Sequence, residues 1–294
     1  MENIFKSKLI PGLVFSIFIV FLIWIIFPEK KPQLDEELPP KVPPAEVGSL
    51  FIYNFKNFGV LEESGNMKET SSPYWWLNSG GVFEVGEGVG KTVMGEISSV
   101  SKWRKAYAKG NPVDTDGGEH PQNIFRMVTR SEWKNFRQEA YFRIVRDNLS
   151  ESPNRNDSNG LFLFNRYQDG DNLYYAGVRV DGAAVIKKKV DGIYHTVSYL
   201  KIFPGALYDR SANPSLLPKN FWIGIRSEVL DNPDGTVSIR LFADVRRNGN
   251  WIKVLEGTDD GKSFGGAVIA DAGLAGIRTD FMDVEVADFR IEEL

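Results

Sequence analysis

The chain has no cysteine and only two histidines, His120 and His195. Without thiols there is no disulfide framework, no thiolate-held zinc or iron–sulfur centre, and no cysteine nucleophile. Two histidines cannot furnish a multi-histidine metal centre. Positive charge is not in excess either: 35 Lys and Arg against 39 Asp and Glu give a formal net charge of −4. That balance excludes a general basic nucleic-acid binder, so nucleic acid is not expected as a partner. Helical periodicity is nearly missing. Residues Ser131 to Glu139 are the best helix stretch, and they read equally well as a bent strand entry. What remains is ordinary globular composition, 42% hydrophobic and 13% aromatic over 294 residues. A chain of that kind holds its core by packing alone.

Leu9 to Phe27 form an almost unbroken apolar run, softened only by Pro11, Gly12 and Ser16. At ~1.5 Å per residue the run nearly crosses a hydrocarbon core of ~30 Å. It ends in Ile25-Ile26-Phe27-Pro28, which is poor material for signal cleavage. Residues 1–27 therefore read as an uncleaved signal anchor that meets the lipid bilayer through residues 9–27; a cleaved signal peptide is the alternative. The expected orientation is N-terminus cytoplasmic and C-terminal domain extracytoplasmic, because a long C-terminal part translocates largely regardless of charge. Residues 28–46 follow as a Pro-rich linker with Pro39-Pro40 and Pro43-Pro44. Such a segment favours polyproline II at ~3.1 Å per residue, a stalk of roughly 50 Å.

From residue 47 the texture changes to short alternating apolar runs. Examples are Asn123 to Val128, Ala140 to Val145, Gly160 to Asn165, Tyr174 to Val180 and Thr236 to Val245. Between them lie Asp181-Gly182, Asp191-Gly192, Asp234-Gly235 and Asn248-Gly249, the turn chemistry of antiparallel hairpins. Residues 47–294 read as one all-β domain, a sandwich or barrel.

The later strands carry a resemblance. Tyr174-Tyr175-Ala176-Gly177-Val178-Arg179-Val180-Asp181-Gly182 leads into Ala184 to Lys189, then Gly192-Ile193-Tyr194-His195-Thr196, Trp222-Ile223-Gly224-Ile225, and a close in Ala275-Gly276-Ile277-Arg278 and Asp288-Phe289-Arg290-Ile291. This order resembles the concanavalin A-like lectin/glucanase superfamily in its laminin-G-like branch. The resemblance implies a two-sheet antiparallel jelly-roll sandwich. Members bind glycans, bind proteins or degrade polysaccharides, so it leaves the activity open.

Gly86-Glu87-Gly88-Val89-Gly90-Lys91-Thr92 looks like a phosphate loop, but no helix-forming run follows it, so a hairpin is expected. Glycanases of this superfamily with the laminarinase-type mechanism carry Glu-x-Asp-x-Glu on one strand. Asp283-Val284-Glu285 comes nearest, with Asp288 out of phase, and it reads as a solvated edge. Asp114-Thr115-Asp116-Gly117, Asp169-Gly170-Asp171 and Asp259-Asp260-Gly261 raise calcium as a cofactor, yet Asp-Gly is also the default turn and no piece has full ligand spacing. Asn148-Leu149-Ser150 and Asn156-Asp157-Ser158 match a glycosylation pattern in a loop expected to be exposed. Trp75-Trp76 reads as core packing or as a sugar-stacking platform.

The stronger pattern is cationic and aromatic. Alternation puts Arg126 and Arg130 on one face of a strand, Tyr141 with Arg143, Tyr175 with Arg179, and Lys187 with Lys189. The opposite faces carry Phe125, Met127, Phe142, Ile144, Ala176, Val178, Val180 and Ile186, which suit a core. If those strands are neighbours, Arg126, Arg130, Tyr141, Arg143, Tyr175, Arg179, Lys187 and Lys189 form a glycan-binding face suited to carboxylate or sulfate. The other reading is a solvated sheet face with paired charges.

Arg130-Ser131-Glu132-Trp133 and Tyr174-Tyr175-Ala176-Gly177 also resemble segments of alginate-lyase-like jelly rolls. A β-eliminating lyase needs a cation to neutralise the uronate carboxylate and a Tyr or His to move the proton; Arg130, Arg143 and Arg179, with Tyr175 and His195, are residues of those types. The expected function is a membrane-anchored, extracytoplasmic carbohydrate-binding module. A polysaccharide lyase or glycoside hydrolase on the same groove is the alternative, and a protein-interaction domain the third.

Overall fold

The computed structural model describes residues 50–294 except 204 and 206. The expected anchor, linker and bilayer contact lie outside the described residues. Among the described residues, no helix is long and apolar enough to cross a membrane.

Two antiparallel sheets make up the domain. The nine-stranded sheet runs β14 (Ile252–Asp259), β13 (Val237–Asp244), β12 (Trp222–Asp231), β7 (Phe136–Asp147), β16 (Met282–Glu293), β5 (Val89–Lys91), β4 (Val82–Gly86) and β2 (Gly59–Glu62), with β1 (Leu50–Tyr53) also on β16. The seven-stranded sheet runs β11 (Ile193–Lys201), β10 (Ala183–Val190), β9 (Leu173–Arg179), β8 (Gly160–Tyr167), β15 (Gly273–Asp280), β6 (Ile124–Trp133) and β3 (Trp75–Ser79). Asp181-Gly182 turns β9 into β10, and Asp191-Gly192 turns β10 into β11. Glu87-Gly88 turns β4 into β5 with both residues at positive φ, 56° and 81°. That pair of angles is a hairpin turn, so the phosphate-loop look-alike is a hairpin.

The period of two holds where the core is built. Phe125, Met127, Phe142, Ile144, Ala176 and Ile186 are fully buried between the sheets. Trp75 joins them against Phe51 and Phe289, while Trp76 turns to the outer face of the seven-stranded sheet. Residues Ser131 to Glu139 are not a helix: they end β6, turn, and start β7. Among the described residues, the α-helix is α1 (Lys102–Gly110) instead. Ser101 caps it by accepting from the Trp103 N–H, and Tyr107 is the side chain it buries.

Two further expectations are corrected. Asp283 and Glu285 do not lie at an edge: β16 pairs with β7 on one side and with β5 and β1 on the other. The loop from Asp147 to Asn159 is not exposed throughout. Asn148, Ser150, Ser152, Arg155 and Asn159 are buried, and the Asn148 amide donates to Asn123 Oδ1 and Asp283 Oδ1. Lys188, between two outward lysines, is wholly buried. Its Nζ lies 2.8 Å from Asp259 Oδ2 and donates to the Gly266 and Ala267 carbonyls, while Tyr174 donates to the same Asp259 oxygen at 2.6 Å.

A buried charge stripped of its partner is far costlier than the pair is valuable. Asp259→Ala should destabilise the domain by about 3–5 kcal/mol in urea unfolding, and adding Lys188→Met should recover most of that loss. A single variant within ~0.5 kcal/mol of wild type would show that the pair is not the buried one described.

Candidate functional site

The outer face of the seven-stranded sheet is built in rows by strand register. One row crosses five pairings: Arg126, Arg278, Phe162, Gly177, Val185 and Tyr199. The next row holds Val128, Gly276, Phe164, Tyr175, Lys187 and Thr196. Val128, Phe162, Phe164, Tyr167, Leu173, Tyr175 and Val185 are buried here, a second apolar cluster on the outside of the sandwich. Cations lie against that floor. Arg126, Tyr175, Tyr194 and Arg278 share a small hollow with Phe164 and Leu173.

Tyr194 is the hub. Lys187 and Lys189 lie over its ring at 5.7 and 5.0 Å, Arg278 reaches its hydroxyl at 3.4 Å, and Tyr175 meets it edge-on. Burial alone would raise the Tyr194 pKa. The Arg278 charge and hydrogen bond, with Lys189 and Arg126, outweigh burial and hold it below the ordinary tyrosine value. Tyr175 goes the other way, because burial dominates and pushes its phenol well up. Lys187 is held below the usual lysine range, first by burial and then by the Arg179 charge.

These cations are short of carboxylates. Arg278 is held by Asp280 at 2.8 Å and Lys189 by Asp171 at 2.9 Å. Among the described residues, Arg126 and Lys187 have no ion pair.

The predicted residues divide between locations. Arg126, Tyr175, Arg179, Lys187 and Lys189 share the face just described. Alternation implies exposure for Tyr175 and Arg179, yet both are buried. Tyr175 lies under Tyr194, and Arg179 is tied to Asp181 and Asp157 at 2.9 and 3.1 Å. Arg130 leaves the row because β6 bulges: Gly276 opposes Val128 but Leu274 opposes Glu132. Arg130 is exposed and donates to the Ser72 carbonyl. His195 turns to the opposite side of β11 from Tyr194 and lies against Gly265, leaving no room for a Cβ there. Tyr141 and Arg143 belong to the other sheet. Arg278 and Tyr194 were missed in the sequence, although period two from Gly276 and the neighbour of His195 point to them.

The outer face of the nine-stranded sheet is wired differently. Glu292, Arg137, Glu228, Arg240 and Glu256 form one row across β16, β7, β12, β13 and β14, alternating in sign at every strand. Arg143 pairs with Glu285, and Arg226 with Glu139. A bulge in β16 puts Asp288 at φ 52° and brings it against Arg247 at 2.7 Å. Asp288 therefore shares this face after all. Arg143 and Arg247 lie over the Trp222 ring at 5.0 and 4.5 Å. Asp283 accepts from Gly95, Gln122 and Asn148. A glycosidase needs one protonated and one free carboxyl flanking the bond. Here the carboxylates are spent on guanidinium and amide donors.

The Asp-Gly pieces are used the same way. Asp114 accepts from Ser152 and Asn154, Asp116 from Ser150 and Asn123, Asp169 from the Asp171 N–H, and Asp259 from Tyr174. Among the described residues, no group of three or more acidic or histidine side chains is placed to hold a metal.

Comparison with models of known families and with curated proteins finds no match. Several solved structures are similar to this chain. A carbohydrate-binding module, CBM66 from Bacillus subtilis, is 14% identical and aligns over 58% of this chain and 83% of its own, at a TM-score of 0.41. A Bacillus subtilis protein with a galectin-like fold is 12% identical over 85% of this chain and 97% of its own, at 0.44. A Bacillus licheniformis β-glucanase is 9% identical over 85% of this chain and all of its own, at 0.42. The fold itself is a two-sheet antiparallel β-sandwich.

The contrast between the faces predicts opposite responses to losing an arginine. Arg126→Gln should leave stability within ~0.5 kcal/mol or raise it slightly, because it relieves a like-charge contact with Arg278. Arg143→Gln strips the nearly buried Glu285 of its main partner and should cost about 1–3 kcal/mol. Thermal melts of both proteins decide the matter; the reverse ranking would mean the charge assignment of the two faces is inverted.

Proposed function

We propose that this protein is a carbohydrate-binding module that holds an acidic glycan on the outer face of its seven-stranded sheet. The observation that carries this is the carboxylate shortage around Tyr194. Among the described residues, Arg126 and Lys187 stand without ion pairs on an apolar floor, whereas the other sheet's outer arginines are paired row by row. A charge set on apolar surface interacts strongly with an incoming anion, because less water screens it. A guanidinium fork suits a carboxylate or sulfate, and the Tyr194 ring offers an apolar surface to a sugar. The buried position of Tyr175 and the turned-away His195 give no support to their use as a proton-moving pair. We also propose that the domain stands outside the cytoplasm on the Pro-rich stalk, held by the apolar run of residues 9–27.

Binding of polygalacturonate and of neutral dextran, measured by calorimetry, tests the face. Arg126→Ala should weaken polygalacturonate at least tenfold, the value of a charge-assisted contact of about 1.5–3 kcal/mol. Rising salt should weaken it further, and dextran should bind poorly throughout. If Arg126→Ala binds like wild type while Arg143→Ala loses binding, the ligand uses the other sheet. Absorbance from an unsaturated uronate product in the same mixtures would turn the reading into that of a lyase. The tether has its own test: the chain should stay with membranes through alkaline carbonate washing, and release of a protein beginning near Pro28 would refute it.

A further inference from the structure

At the end of the same face lies a narrow recess walled by Asn148, Arg155, Asn156, Asn159, Tyr208 and Asp280. Two buried polar atoms of that wall have no hydrogen-bond partner among the described residues, Asp280 Oδ2 and Tyr208 Oη. Asp280 is 4% exposed. Its other oxygen, Oδ1, accepts from Arg278 Nε at 2.8 Å. One oxygen of this carboxylate is bound to the cation cluster, the other is left unpartnered, and the residue lines the recess. An acceptor buried without a partner bears its full desolvation cost, so each orphan atom marks a place for an external polar group.

The wall restricts what that group can be. Asp280 Oδ2 requires a donor, and the Tyr208 hydroxyl can donate or accept. Arg155 contributes a buried guanidinium that no carboxylate pairs, its Nη1 donating to the Arg210 carbonyl at 2.9 Å. A metal cation would meet that guanidinium, and Arg278 just beyond, with one carboxylate to neutralise it. An anion would meet Asp280. A neutral group that donates and accepts through one small atom suits both sides, and the recess is wide enough for one group of that size.

We infer that the recess takes a single hydroxyl of the sugar unit whose anionic group lies on Arg126. This rests on the acidic-glycan reading of the face. Arg126 and Arg278 are register partners, and Arg278 is bonded to Asp280, so the anion position and the recess are linked through one side chain. The ligand is then a hydroxylated acid, such as a uronate, and not a bare polyanion. An internal water has the same hydrogen-bonding chemistry as the hydroxyl, and the experiment separates the two.

Tyr208→Phe removes one of the orphan atoms and breaks no bond within the protein, so it should melt at or above the wild-type temperature. The full chain in detergent is titrated with polygalacturonate and with polyacrylate, which carries carboxylates but no hydroxyls. Tyr208→Phe should weaken polygalacturonate about fivefold, as expected for one neutral hydrogen bond, and leave polyacrylate unchanged. Arg126→Ala should weaken both. Unchanged affinity of Tyr208→Phe for polygalacturonate would mean that the recess holds water only. An equal loss for both polymers would mean that Tyr208 acts on the face as a whole; either result overturns the inference. If Arg126→Ala alters neither affinity, or wild type binds neither polymer, the acidic-glycan reading itself falls and the recess assignment falls with it.

Discussion

Two guanidinium groups stand opposite each other on neighbouring strands, Arg126 on β6 and Arg278 on β15, and the carboxylate of Asp280 pairs with Arg278 alone. Like charges directly across a strand pair are unfavourable. Asp280 neutralises Arg278 and leaves Arg126 uncompensated, above a floor of Phe162, Phe164 and Tyr175. A floor of that kind repels water and lets the positive field project outward. Two features of this face follow from that unbalanced pair: the lowered pKa of Tyr194 and a positive charge at Arg126 that no carboxylate among the described residues neutralises.

The nine-stranded sheet uses the same residue types to the opposite end. Its row from Glu292 to Glu256 alternates acid and base strand by strand. Each cross-strand pair there satisfies its neighbours, so a ligand would have to displace internal partners before gaining any contact. Exposed pairs contribute little one by one, but Glu228 and Glu285 are nearly buried, and their arginines are obligatory partners. One outer face is therefore closed by its own electrostatics and the other is left open. The net charge of −4 gives no hint of this. The difference between the two faces depends on where the carboxylates are missing, and composition averages over position.

What was legible in the sequence was local. Period-two alternation placed Phe125, Met127, Phe142, Ile144, Ala176 and Ile186 in the core, because each strand must bury one side. Asp-Gly and Asn-Gly turns marked the hairpins. What was not legible depends on bulges and on partners far away in the chain. A bulge in β6 removes Arg130 from the row of Arg126, and one in β16 brings Asp288 into the face from which simple counting excludes it. Nothing near Tyr141 or Arg143 states that β7 lies beside β12 and β16 and not beside β6. Burial on the outer side was hidden as well. Tyr175 and Arg179 alternate correctly, but Tyr194 covers one and Asp157 and Asp181 hold the other.

Lys187-Lys188-Lys189 brings these constraints into three residues. By charge they are identical, and the period of the strand alone separates them. Lys188 points inward, where only Asp259 and two carbonyls make an ammonium tolerable. That requirement reaches beyond the lysine. It ties the middle of β10 to the end of β14 and to the segment through Gly266 and Ala267. The same anchorage fixes the facing of β10, since a one-residue slip would expose Lys188 and drive both neighbours into the core. Lys187 and Lys189 are thereby held outward toward Tyr194, at a register shift between Ile186 and Lys187 in the pairing with β11. A buried ion pair adds little stability over a well-packed apolar pair, but it discriminates strongly against the wrong register. Its value in this sheet lies in that discrimination: the cation cluster outside can exist only while the cation inside has its carboxylate.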